Sequence, residues 1–190
     1  ATRSPLVAEA RNKAERGKRI DWLADGQLAA NLLVDVEANE EVKKQEQALY
    51  REFVGARRTA EAASVFMHVK GAEGGRYPLT GVGDVNTYAL FAETMQGVTA
   101  SSGRAGFIVP SGLATDNSTK EFFGGLISKK ALDSFYEFEN EGFFRGAGQG
   151  HMLRFALTTI VGNERKIEVT RFMFQGKKLE ELQNEERVFT

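Results

Sequence analysis

The run Gly103-Arg104-Ala105-Gly106-Phe107-Ile108-Val109-Pro110-Ser111-Gly112 constrains the fold of this chain more than any other feature. A tight glycine turn feeds a short apolar segment that stops at a residue without an amide donor, so residues 104–109 read as a buried strand. Further on, Phe138-Glu139-Asn140-Glu141-Gly142-Phe143-Phe144-Arg145-Gly146 reads as a strand running into an aromatic, glycine-rich loop.

The texture of the chain changes near residue 80. Before it, alanine and charged residues dominate, and Leu49, Phe53 and Val54 form one stripe of a long helix over 40–63. The glycine-rich stretch 70–78 ends at Pro78 and reads as a loop returning the chain to a main fold. Residues 1–80 are therefore expected to form a helical insertion with its return loop. Residues 81–190 are expected to form an α/β domain.

Within that second part, Asp84 is the expected N-cap of a helix carrying Tyr88, Leu90, Phe91 and Met95. Residues 115–129 read as one amphipathic helix with Phe122, Phe123, Leu126 and Ile127 inward. Strands are expected over 132–138 and 152–161, and a fourth over 167–174 pairs antiparallel with the third by a hairpin across Gly162-Asn163. Helix, strand, helix, strand and a strand pair make the closing half of a doubly wound sheet.

Composition removes several function classes. The chain has 190 residues, 42% of them hydrophobic, enough for one domain with a real core. It has no cysteine, which excludes disulfides, thiolate zinc sites and cysteine nucleophiles, and two distant histidines, His68 and His151, leave little material for a metal site. No apolar run approaches the ~20 residues of a membrane span, and no apolar leader is visible, so the expected location is the cytoplasm. A net charge of −1 argues against a stand-alone nucleic-acid binder. Residues 1–20 nevertheless hold six basic side chains against two acidic ones, either a face for a phosphate backbone or an ordinary solvated helix face. Asp84, Glu93, Asp116, Glu137 and Glu139 form no identifiable catalytic pair, and Ser111 lacks a nucleophile-elbow sequence.

Together, Asp84-Val85-Asn86-Thr87-Tyr88-Ala89-Leu90-Phe91, Val109-Pro110 and the Phe143-Phe144 loop resemble the later half of the adenine-N6 DNA methyltransferases of restriction-modification systems. The resemblance covers residues 76–161. It implies that Phe91 borders the adenine of S-adenosylmethionine, that residues 111–117 sit at the carboxyl edge of the sheet, and that Phe144, with Phe143 as the alternative, packs against a target adenine turned out of the duplex. The same segments allow plainer roles: Phe91 on the inward side of a helix, Pro110 as a strand terminator, Phe144 as a core plug. Arg145 stands where family members usually have proline, and the loop over 146–150 is longer than usual.

The chain contains no glycine-rich cofactor loop after a first strand and no Asn-Pro-Pro-aromatic tetrapeptide. On the resemblance, it is the C-terminal half of a methyltransferase-like sheet, without catalytic residues of its own, and contributes the target-base side of the cleft. S-adenosylmethionine then belongs to the intact parent, with none expected on the fragment alone. The expected partners are DNA through the parent, the remainder of the domain, and a second copy through an exposed sheet edge. The competing reading is a non-catalytic DNA-associated or scaffold module that keeps half of the fold.

Overall fold

The computed structural model of the chain describes residues 3–33, 39–69, 75–146 and 150–190, which fall into two compact units, Ala1–Val65 and Phe66–Thr190. The loop expected over 70–78 lies in good part outside the described residues.

The first unit is helical. Helix α1 (Pro5–Ala8) starts with proline, whose missing N–H costs nothing there, and α2 (Lys13–Asp25) starts with a reciprocal cap. Asn12 Oδ1 accepts the Glu15 N–H at 2.9 Å, and the Glu15 carboxylate accepts the Arg11 N–H at 2.9 Å. Gly26, at φ +69°, ends α2 in the left-handed region that favours glycine. At the start of α3 (Leu28–Leu32), the Glu46 carboxylate takes the N–H groups of Leu28 and Ala29, at 2.9 and 2.8 Å. Glu46 belongs to α4 (Glu40–His68), the long helix, which runs one turn beyond the expected limit and packs Leu49 and Tyr50 against Val7, Leu23 and Leu28.

The second unit is mixed α/β, built on a four-stranded mixed sheet. Helix α5 (Thr87–Val98) precedes β1 (Arg104–Pro110). Short α6 (Gly112–Thr115) and then α7 (Lys120–Ser128) link β1 to β2 (Leu132–Asn140), which is followed by β3 (Gly150–Val161) and β4 (Arg171–Gly176). The strand order is β1-β3-β2-β4. Strand β3 runs antiparallel to both neighbours, whereas β4 is parallel to β2.

Three expectations are corrected. The fourth strand does not form a hairpin with β3, because β1 and β2 occupy both of its edges. Instead, Gly162 packs so closely on Ala100 and Ser101 that a Cβ would lie 2.0 Å from the Ala100 carbonyl oxygen. The chain then runs past β2, where the Ile167 N–H bonds to Lys130 O at 2.9 Å and the Thr170 hydroxyl to Leu132 O at 2.8 Å. The single helix expected over 115–129 is broken at Asp116, whose ψ of 141° is extended, and Ile127 is 42% exposed rather than inward. Asp84 does not cap α5. Asn86 holds the N-cap position, without a side-chain bond.

Strand alternation sorts the core into two faces. Phe107, Val109, Phe135, Ala156 and Ile160 point to one side, where Leu113, Phe122 and Leu126 cover them. Phe138, Phe155 and Met173 point to the other, with Tyr136, Leu157, Leu182 and Val188. Fully burying a Phe or Leu contributes roughly 1.5–3 kcal/mol, so these two layers hold the sheet flat against its helices and C-terminal segment.

Strand β1 lies at the edge of the sheet. Hydrogen bonds of Gly162 N–H to Gly103 O and of Ser111 N–H to Arg154 O, both 3.1 Å, set the odd-numbered residues of β1 toward β3. The N–H groups of Arg104, Gly106 and Ile108 therefore face away from the sheet, and Pro110 adds none. Ile108 is 53% exposed.

Candidate functional site

Strands β1 and β2 run in the same direction, so their carboxyl ends share one edge of the sheet, the edge where α/β sheets place ligands. There β2 ends at Asn140 and the chain turns through residues 141–146. Gly142 and Gly146 take φ values of +93° and +81°, conformations that a side chain would strain. Residues 147–149 lie outside the described residues.

The two phenylalanines of this loop have opposite fates. Phe143 turns inward and meets Phe138 at 5.7 Å and Phe155 at 5.2 Å, ring edge to ring face. Phe144 meets Phe155 at 4.9 Å, also edge-on, and remains 41% exposed. One ring anchors the loop and the next is offered to solvent. Of the two candidates, Phe144 is the more exposed.

The charges at the root of this loop are arranged as one network. Arg154, on β3, sits between Glu137 at 3.5 Å and Glu139 at 3.7 Å, and Lys177 reaches Glu139 at 3.9 Å and Glu141 at 3.3 Å. Glu137 and Glu139 belong to β2 and are largely buried, and the ion pairs to these cations offset part of the cost of taking their side chains out of water. Beside them, a hollow of about 390 Å³ is lined by Glu141, Gly142, Phe143, Lys177, Lys178 and Leu179, among others.

Phe91 stands apart from this loop. It lies on α5, 46% exposed, with its ring edge-on to Phe107 at 6.1 Å. Phe107 and Phe155 belong to opposite faces of the sheet, so the structure does not join Phe91 to Phe144 in one pocket.

Residues 115–117 line a second recess, a polar cleft of about 700 Å³ shared with Val82, Gly83, Asp84 and Asn86. At its wall the Tyr88 hydroxyl donates to Asp116. Burial, and then the neighbouring Asp116 carboxylate, push the Tyr88 phenol up to about 12. Glu93, also without a visible partner in the sequence, accepts the N–H groups of Leu79 and Thr80 at 3.2 and 2.9 Å and the Thr80 hydroxyl at 2.6 Å. Both carboxylates are engaged in hydrogen bonds within the fold.

Part of the N-terminal basic charge is already engaged. Arg3 pairs with Glu52 at 2.5 Å, Arg19 with Glu15 at 2.5 Å, and Lys18 lies over the Trp22 ring at 5.0 Å. Among the described residues, no helix is long and apolar enough to cross a membrane.

No protein-family model matches this chain, and no curated protein matches it.

Proposed function

We propose that this chain is the target-base side of an S-adenosylmethionine-dependent adenine-N6 DNA methyltransferase, of the kind found in restriction-modification systems. The observation that carries the reading is the part-exposed ring of Phe144, held at the carboxyl edge of two parallel strands beside an inward Phe143. The arrangement of β1, helical crossover and β2 is compatible with the closing half of a doubly wound sheet.

The chemistry of such a site is mostly one of presentation. Taking an adenine out of a duplex costs a few kcal/mol, and an aromatic face returns on the order of 1 to 3 kcal/mol by stacking. Phe144 offers that face. Arg145, next to it, is exposed and adds a cation on the side where a phosphate backbone would pass. For the cofactor the chain offers one surface, the exposed ring of Phe91, which fits the border of an adenine. S-adenosylmethionine supplies the methyl group, and the residues that accept hydrogen bonds from the adenine amino group belong to the Asn-Pro-Pro-aromatic motif, which is not in this sequence.

The test is made on the whole reading frame. It should encode Asn-Pro-Pro-aromatic upstream of these residues, and its product should place labelled methyl groups on adenine N6 of duplex DNA. A frame without that motif, or a product that leaves adenine unlabelled, rejects the proposal in favour of a non-catalytic DNA-associated or scaffold module.

A further inference from the structure

We infer that Asn140 is a positioning residue that holds Phe144 in its part-exposed place against Phe155 before any base arrives. The inference rests on the reading of Phe144 as a stacking surface. Asn140 is the last residue of β2 and is fully buried, an unusual place for a carboxamide unless its polar atoms are used. Its Oδ1 accepts the N–H of Phe144 at 2.8 Å, and its Nδ2 donates to the carbonyl oxygen of Phe144 at 3.0 Å. One side chain thus grips the peptide groups on both sides of a single residue.

The neighbouring geometry supports the grip. Gly142, at φ +93°, turns the chain at the end of β2, and Phe143 packs edge-on against the stacked pair Phe138 and Phe155. With the peptides on either side of Phe144 tied down and the preceding ring partly buried, the Phe144 side chain leaves a fixed main chain, and its ring lies edge-on to Phe155 with 41% of the residue exposed. A ring ordered during folding need not be ordered on contact, which raises affinity without adding an interaction. Only an amide of this length both donates and accepts here: Asp loses the donor, and Ser falls short.

Three variants of the chain test this: Asn140→Ala, Asn140→Asp and Phe144→Ala. The readouts are amide exchange at Phe144, with the β2 core amide of Phe135 as a folding control, and affinity for a fluorescent single-stranded oligodeoxyadenylate. Asn140→Ala should speed exchange at Phe144 while Phe135 stays protected. Asn140→Asp should bind the oligonucleotide about tenfold more weakly at neutral pH, since its carboxylate opposes the Phe144 carbonyl. It should recover as acid restores a donor, while the wild type shows no such recovery. Unchanged exchange at Phe144 in Asn140→Ala overturns the inference. So does an oligonucleotide affinity that Phe144→Ala lowers and neither Asn140 variant does. If Phe144→Ala itself binds as the wild type does, the stacking role of Phe144 fails, while the exchange data still decide the latch.

Discussion

Phe144 rests edge-on against Phe155 at 4.9 Å and yet keeps 41% of its surface in solvent. Phe155, beneath it, is buried. The two rings should therefore respond differently to truncation. Phe144→Ala is expected to cost ~1 kcal/mol of stability, against ~3–5 kcal/mol for Phe155→Ala. In an intact methyltransferase, Phe144→Ala should also lower kcat/KM by roughly ten- to a hundredfold, the worth of one base-aromatic stack. Thermal unfolding and methyl transfer on the same variant separate these effects. A large stability loss with unchanged turnover per folded molecule rules out stacking.

The isolated chain should bind S-adenosylmethionine weakly or not at all. The one surface that the proposed function assigns to the cofactor is the Phe91 ring, exposed on a helix and touching only the edge of Phe107 among the described ring contacts. One aromatic contact does not hold a nucleoside of that size. Calorimetry on the purified chain checks this, and a micromolar dissociation constant would sink the half-fold reading.

Along β1, amide exchange should alternate. Ala105, Phe107 and Val109 face β3 and should be protected, whereas Gly106 and Ile108 face the open edge and should exchange quickly in dilute solution. Protection of Gly106 and Ile108 that grows with protein concentration would show a second copy laid along the edge. Equal exchange rates at both sets of positions, at every concentration, would contradict the register.

Tyr88 makes stability depend on alkaline pH. Its phenol is raised to about 12 in the folded chain, by burial first and by Asp116 second, from an ordinary value near 10. The folded state therefore holds its proton more tightly than the unfolded state. The contribution is complete below about pH 10 and is lost as pH rises toward 12. Tyr88→Phe should flatten stability across that window. A Tyr88→Phe variant with the same alkaline slope as the wild type would refute the assignment.

Local chemistry made several elements legible. The apolar run closed by Pro110 gave β1 to within one residue, and the stripe of Leu49, Phe53 and Val54 marked the long α4. The partner of β4 was not legible. Gly162-Asn163 is a local hairpin signal, but pairing is decided by which edges of β3 are free, and β1, far upstream, takes one of them. The role of Asn140 was hidden for a related reason. An asparagine after a strand looks like any turn residue, and its partners are backbone atoms of Phe144 that no side-chain pattern reveals. Asp84 misled because it is a good capping residue placed two positions before the N-cap.

The central position of β3 also sets an order of events at the ribosome. Strand β1 is finished at Pro110, but its pairing partner runs from Phe155 to Val161. At roughly 5–20 residues per second, the nascent chain carries β1 for several seconds with neither edge paired to β3, while Ile108 and its neighbours stand unprotected. Any factor that shelters an apolar segment on the emerging chain has its clearest target here, and variants that slow translation between residues 110 and 155 should raise aggregation without altering the finished fold.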